Sequence, residues 1–210
     1  ISWESYYRKN MKNILEQLLG HQSLSQEESR EVMYSIMSGE YNDAQISGFL
    51  IALRAKGESS AEIAGFAEAM REKMTPIKIE SEAMDMCGTG GDAKGTFNIS
   101  TAASFVVAGA GVHVAKHGNR SMTSKSGSAD VLKALGVDIT LAPEKVAKCI
   151  DEIGIGFMFA PSLHPAMKYA MGARTALGTR TVFNILGPLC NPAGVKRQLM
   201  GIFEGSLTDK

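Results

Sequence analysis

Apolar residues recur with a helical period through the first third of the chain and in shorter, interrupted runs after it. Met11, Ile14, Leu15, Leu18 and Leu19 stand at i, i+3, i+4, i+7 and i+8, one face of a helix that Gly20 can end. Ser25 with Glu28 has capping-box spacing and predicts a helix over 26–38, with Gly39 as its stop. Asn42 or Asp43 can cap the next helix, which carries Ile46, Phe49, Leu50 and Leu53. Ser59 with Glu62 repeats the box before Ile63, Phe66 and Met70. Up to about Thr75 the chain therefore reads as four short helices. Packing of helix on helix accounts for most of these stripes, and any surplus apolar face would serve a subunit interface.

Pro76 breaks this texture. Apolar runs of strand type follow at 84–87, 112–116, 137–140, 156–160 and 199–203, alternating with helical stretches at 99–108, 128–135, 143–153 and 165–177. Alternation of this kind predicts an α/β domain with a mostly parallel sheet. The expected organisation is thus a small N-terminal helical domain, 1–75, followed by a larger α/β domain, 76–210. The last strand-like run has no helix after it before Lys210, where a doubly wound domain would continue, so the α/β domain is expected to be incomplete.

Composition narrows the classes. Lys plus Arg and Asp plus Glu are 22 each, so there is no cationic surplus of the kind that binds nucleic acid irrespective of sequence. Ile1 to Arg8 lacks an apolar signal stretch, and no apolar run is long enough to cross a membrane. Cys87, Cys149 and Cys190 are scattered without metal-ligand spacing, which predicts small buried thiols in a reduced, cytoplasmic setting. Cys87 is the one that abuts a glycine-rich loop.

That loop is the most informative stretch. Cys87-Gly88-Thr89-Gly90-Gly91-Asp92 follows an apolar strand, and Gly95-Thr96-Phe97-Asn98-Ile99-Ser100-Thr101 leads into a helix. Glycines let backbone N–H groups face a ligand without Cβ obstruction, and a helix N-terminus adds donors and the positive end of its dipole. The combination suits phosphate or pyrophosphate. It lacks the Gly-Lys-Ser/Thr ending of a P-loop and the Gly-x-Gly-x-x-Gly spacing of dinucleotide sites. A plain glycine turn with an ordinary N-cap would produce the same residues taken alone.

A second cluster weighs against that bland reading. Lys116-His117-Gly118-Asn119-Arg120 follows the strand stretch at 112–115, and Ser121, Thr123, Ser124, Lys125, Ser126 and Ser128 come next. Cations and hydroxyls at the carboxyl end of a strand lie where open α/β sheets bind ligands. Ser126 or Ser128 can equally cap the helix bearing Val131, Leu132 and Leu135. None of His21, His113, His117 and His164 lies in a nucleophile-activating or metal-binding pattern, so His117 reads as a positioning or packing residue.

Gly88-Thr89-Gly90-Gly91-Asp92, Asn98-Ile99-Ser100-Thr101, Lys116 to Arg120, Ser126-Gly127-Ser128-Ala129-Asp130-Val131-Leu132 and Phe183-Asn184-Ile185-Leu186-Gly187-Pro188-Leu189 occur in this order. Together they resemble the anthranilate phosphoribosyltransferases, over essentially the whole chain. The resemblance implies transfer of a 5-phosphoribosyl group from phosphoribosyl pyrophosphate to anthranilate, with Mg²⁺ as cofactor. It implies that Gly88, Gly91, Asp92, Thr96, Asn98, Ile99, Ser100, Thr101, Lys116, His117, Gly118, Asn119, Arg120, Ser121, Met122, Thr123, Ser124 and Ser128 hold phosphoribosyl pyrophosphate. Lys116 and Arg120 would carry catalysis and Ser100 would ligate Mg²⁺. Gly88, Asn119 and Arg174 would meet anthranilate, with His164 and Pro165 lining its approach.

It further implies a homodimer through the helical part, and a continuation that carries an acidic pair of Mg²⁺ ligands. Ala173, Thr175 and Ala176 depart from the Pro, Arg and Glu common around Arg174 in such proteins. Two other readings share the fold. One is a pyrimidine nucleoside phosphorylase, against which the Gly-Thr-Gly-Gly-Asp and Asn-Ile-Leu-Gly-Pro-Leu segments speak. The other is a non-catalytic nucleic-acid-binding relative, against which the neutral charge speaks.

Overall fold

A computed structural model of the chain describes residues 10–89, 97–120 and 126–210. The first four helices are α1 Met11–Leu19, α2 Gln26–Met37, α3 Asp43–Lys56 and α4 Ser60–Lys73. Their starts are set by side chains that take up the orphan N–H groups of a first turn. Ser25 with Glu28 and Asn42 with Gln45 form reciprocal capping boxes. Ser59 and Glu62 make the same exchange, at 2.8 and 3.2 Å. Glu62 goes beyond its capping role: fully buried, it also accepts from the Leu24 N–H at 2.9 Å and pairs with the Lys56 ammonium at 2.8 Å.

The chain then runs through β1 Ala83–Gly88, α5 Ile99–Gly109, β2 His113–Gly118, α6 Ser128–Ala134, α7 Pro143–Ile153 and β3 Ile155–Phe159. It continues through α8 Ala160–Leu163, a 3₁₀ turn at Pro165–Met167, α9 Lys168–Leu177, α10 Phe183–Leu186, a second 3₁₀ turn at Gly187–Leu189 and β4 Arg197–Gly201. The four strands form one sheet in the order β3-β2-β1-β4, and every neighbouring pair is parallel.

Two expectations need correction. Val137 to Thr140 is not a strand but a turn: the Asp138 carboxylate accepts from both the N–H and the hydroxyl of Thr140, at 2.9 and 2.7 Å. That side-chain bond competes with strand pairing. It leaves Ile139 packed with Ala129 and Leu132 against Phe157 and Phe159. The last strand begins at Arg197 rather than Leu199, because β1 pairs with it from Met84↔Arg197 to Gly88↔Gly201.

The chain folds as two compact units. One holds the chain to Lys73 together with Ala166–Leu186 and Lys210; the other holds Met74–Pro165 and Gly187–Asp209. In the helical unit α2 packs on α4 and α1 on α3, while α9 packs on α3 and α2 and α10 on α4. Its core includes Phe49 edge-on to Phe66, with Met33, Ile36, Leu50 and Leu53. In the α/β unit, Ala83, Ala115 and Met158 of the sheet pack against Val146, Ala147 and Ile150 of α7. Gly156 is what allows that approach, since a Cβ there would meet Ile150 Cγ1 at 2.6 Å and the Val146 carbonyl oxygen at 2.9 Å.

Candidate active site

Parallel strands put all their carboxyl ends on one edge of the sheet, and Gly88 and Gly118 stand at that edge. β1 ends at Gly88 and its neighbour β2 at Gly118. The chain leaves β1 toward β2 and β3, then returns to the other side of β1 as β4, so the β1/β4 boundary is where strand order reverses. Ligands of open α/β sheets sit outside such a reversal. Gly88 lies on it, with a hypothetical Cβ only 3.3 Å from the Gly201 carbonyl oxygen. Thr89 prolongs the pairing, its N–H donating to Gly201 O at 3.0 Å.

Lys116 is the residue that joins the two predicted segments. It is only 3% exposed. Its ammonium donates to the Met86 carbonyl at 2.5 Å and reaches Ser100 Oγ at 3.4 Å. A side chain from β2 thus touches both the strand that leads into the glycine loop and the first turn of α5. Burial holds its pKa below the ordinary lysine value, opposed by the negative charge of Asp85.

Around Ser100 the opening of α5 is more occupied than a free helix end. The Ile99 N–H donates to Phe97 O at 2.7 Å, and the Thr101 and Ala102 N–H groups donate to Asn98 O at 3.0 Å. The Asn98 side chain does not cap the helix, and the buried Thr101 hydroxyl has no protein partner.

Beyond β2 the chain bends at Gly118, where a Cβ would collide with the Ser128 hydroxyl and lie 2.7 Å from the Phe157 ring. Asn119 and Arg120 are exposed. The Arg120 guanidinium lies 5.9 Å from the Phe159 ring centroid. Neither serine caps α6. Gly127 takes the cap position, its N–H donating to Asp130 at 2.8 Å, and Ser128 donates instead to Asn119 O at 3.2 Å. Ser128 thereby ties the start of α6 to the loop that follows β2.

His117 and His164 lie inside, 6% and 7% exposed, with ring centroids 5.1 Å apart. His117 Nδ1 is 3.2 Å from Gly187 O, which makes it the protonated nitrogen, and the Nε2 atoms of both rings have no protein partner. Burial pushes both imidazoles down to about 4, His164 also by the neighbouring His117. Both rings are therefore neutral at pH 7. Pro165 follows His164 at the start of the 3₁₀ turn. Arg174 belongs to the helical unit, on α9, where its guanidinium lies 5.0 Å from the Phe183 ring and burial lowers its pKa.

Gly91, Asp92 and Thr96, and likewise Ser121, Met122, Thr123 and Ser124, lie outside the described residues. Sequence reasoning overlooked Asp85 and Gln198. Asp85 is fully buried in β1 and receives the His117 N–H at 3.1 Å; its register partner Gln198 donates to it, also at 3.1 Å. A carboxylate inside the apolar run Met84–Cys87 was the available signal, since such groups are buried only with donors in place.

Both parts of the chain match known protein families. Residues 80–210 match the α/β domain of a glycosyl transferase family, and residues 12–74 match the helical bundle domain of that family. The anthranilate phosphoribosyltransferase of Chelativorans sp. is 60% identical over 181 residues, 86% of this chain and 54% of the relative. That of Clostridium kluyveri is 54% identical over 200 residues, 95% of this chain and 60% of the relative. The chain thus spans little more than half the length of these curated relatives.

Among solved structures, the Thermus thermophilus anthranilate phosphoribosyltransferase superposes with a TM-score of 0.87 at 46% identity, over 93% of this chain and 60% of that one. The Saccharomyces cerevisiae enzyme, solved in complex with phosphoribosyl pyrophosphate and Mg, gives 0.86 at 30% identity, over 95% and 60%. With a helical bundle and an α/β unit each matched by its own model, the chain belongs to this glycosyl transferase family.

Proposed function

We propose that the chain carries the phosphoribosyl-pyrophosphate half of an anthranilate phosphoribosyltransferase. The activity is transfer of the 5-phosphoribosyl group to anthranilate, giving N-(5-phosphoribosyl)anthranilate and pyrophosphate. The observation that carries this reading is Lys116, whose ammonium bridges Met86 O and Ser100 Oγ and so couples the glycine-rich end of β1 to the opening of α5. The likeness to anthranilate phosphoribosyltransferases, one of them solved with 4-fluoroanthranilate at 28% identity and a TM-score of 0.79, supports the choice of acceptor.

Breaking the bond between the anomeric carbon and pyrophosphate leaves positive charge on the sugar and negative charge on the departing oxygens. The amine of anthranilate is already a nucleophile, so the chain's work is alignment and charge stabilisation rather than strong-base catalysis. Lys116 and Arg120 supply positive charge on the leaving-group side. Gly88 allows close approach of the sugar phosphate, and Asn98 to Thr101, His117 to Asn119 and Ser128 frame it. Gly91, Asp92, Thr96 and Ser121 to Ser124 complete that set. Asn119 and Gly88 orient anthranilate, and His164 and Pro165 line its approach.

Mg²⁺ when bound offsets the charge of the leaving pyrophosphate. Ser100 Oγ would offer it one neutral oxygen ligand, a donor type that Mg²⁺ accepts. Among the described residues no group of three His, Cys, Asp or Glu could hold a metal. The assignment of 1–75 as the helical domain and 76–210 as the catalytic α/β domain, a homodimer through the helical part and a cytoplasmic setting belong to the same reading. So does a lack of nucleic-acid or membrane partners; among the described residues no helix is long and apolar enough to cross a membrane.

Calorimetry tests it. Phosphoribosyl pyrophosphate should bind in the presence of Mg²⁺ and more weakly without it, and anthranilate should bind to that complex. Phosphate-dependent cleavage of thymidine or uridine in place of such binding would transfer the chain to the nucleoside phosphorylases.

A further inference from the structure

A closed circuit of hydrogen bonds lies behind the strand ends, and nothing in the proposed chemistry requires it. Starting at β1, Asp85 Oδ1 accepts the His117 backbone N–H of β2 at 3.1 Å. The His117 ring then bonds Gly187 O at 3.2 Å through Nδ1. The next residue of that 3₁₀ turn, Pro188, offers its carbonyl to Gln198 Nε2 of β4 at 2.6 Å. Gln198 Nε2 returns to Asp85 Oδ2 at 3.1 Å, with Cys87 Sγ at 3.4 Å beside it. Three strands and one turn are thus locked in a ring whose hub is a fully buried carboxylate.

The ring meets the site at one point. His117, held by its own N–H and by its imidazole, stands between Lys116, which touches Met86 and Ser100, and Asn119, whose carbonyl receives Ser128 and Ala129. A polar hub in a sheet is costly unless every member is satisfied, and here both Asp85 oxygens face donors. We infer that Asp85, acting with Gln198 through the His117 backbone, is a positioning residue that fixes the Lys116–Asn119 strand end in its ligand-binding geometry. This inference rests on the phosphoribosyl pyrophosphate reading of the site.

Asp85→Asn tests it with almost no change of volume. The new amide must turn an NH₂ toward one of two donors, the His117 N–H or Gln198 Nε2, and so opens the ring. The expected result is a folded chain whose Kd for Mg²⁺-phosphoribosyl pyrophosphate, measured by calorimetry well below its melting temperature, is weaker by about tenfold or more. Amide exchange at His117 should quicken in the same variant. Gln198→Met, on the outermost strand, removes two donors while leaving the Asp85–His117 bond, and should weaken binding in the same direction by less; it decides the matter if Asp85→Asn does not fold.

A role confined to stability would lower the melting temperature and leave the affinity of the folded chain unchanged. Affinity within twofold of the unsubstituted chain, in whichever of these variants folds, overturns the inference. An unsubstituted chain that fails to bind Mg²⁺-phosphoribosyl pyrophosphate overturns the proposed function itself, and the positioning role with it.

Discussion

At the scale of single residues, burial separates groups that look alike in the sequence. Lys116 and Arg120 are both cations of one cluster, yet the first is enclosed and bonded while the second is exposed. Lys116→Met is therefore expected to cut turnover on the order of 100-fold, as loss of one preorganised donor does, and His117→Gln far less. Steady-state kinetics checks the ranking, and comparable losses would refute it.

The two buried histidines carry a pH signature. Their folded-state values near 4 lie below the usual 6.5, so the unfolded chain binds more protons between those limits. Their stabilising contribution is complete above about pH 6.5 and is lost as pH falls toward 4. The melting temperature should drop through that window, and His164→Gln should flatten the drop. Among the cysteines, burial and then the charge of Asp85 push the Cys87 thiol up to about 12. Iodoacetamide at pH 8 should modify the half-buried Cys149 before Cys87 or Cys190, as read by peptide mass spectrometry.

At the scale of elements, caps and periodicity were legible and side-chain exceptions were not. Ser25–Glu28 and Ser59–Glu62 announced two helix starts, and Pro143 to Ile153 came out with its observed limits. The strand-like run at 137–140 failed because hydrophobicity cannot see Asp138 bonding Thr140. The polar residues Arg197 and Gln198 hid the start of β4, which depends on pairing with β1 rather than on its own pattern. For the candidate site, the sequence pattern located the ends of β1 and β2, which stand side by side in the sheet. Its buried hub at Asp85 was missed: a carboxylate inside the apolar run Met84–Cys87 was a signal, but one without any spacing to mark it as part of a site.

The same distinction between exposed and enclosed charge predicts the energetics of the helical unit. Lys56→Met would strand the fully buried Glu62 carboxylate, at a cost of about 3–5 kcal/mol. Removing the solvent-facing Arg30–Glu72 pair should cost less than about 1 kcal/mol. Urea denaturation of the two variants compares them directly.

At the scale of the whole molecule, the neutral charge balance predicts no salt-dependent retention of random DNA in a gel-shift. Ligand linkage predicts the opposite outcome for the proposed substrate. With Mg²⁺-phosphoribosyl pyrophosphate at one hundred times its Kd, the folded state should gain about 2.7 kcal/mol, visible as a raised melting temperature.

The return of Ala166–Leu186 to the helical unit constrains how such a protein can be recombined. Gly39 and Asp43 face Tyr169 and Gly172 of α9, so closely that a Cβ on Gly39 would lie 2.7 Å from the tyrosine ring. A bundle borrowed from a relative as one cassette ending at Lys73 would arrive without the helices it was fitted to. Grafts should express well only when both stretches come from the same parent, so crossover points in this family belong at 73/74, 165/166 and 186/187 together.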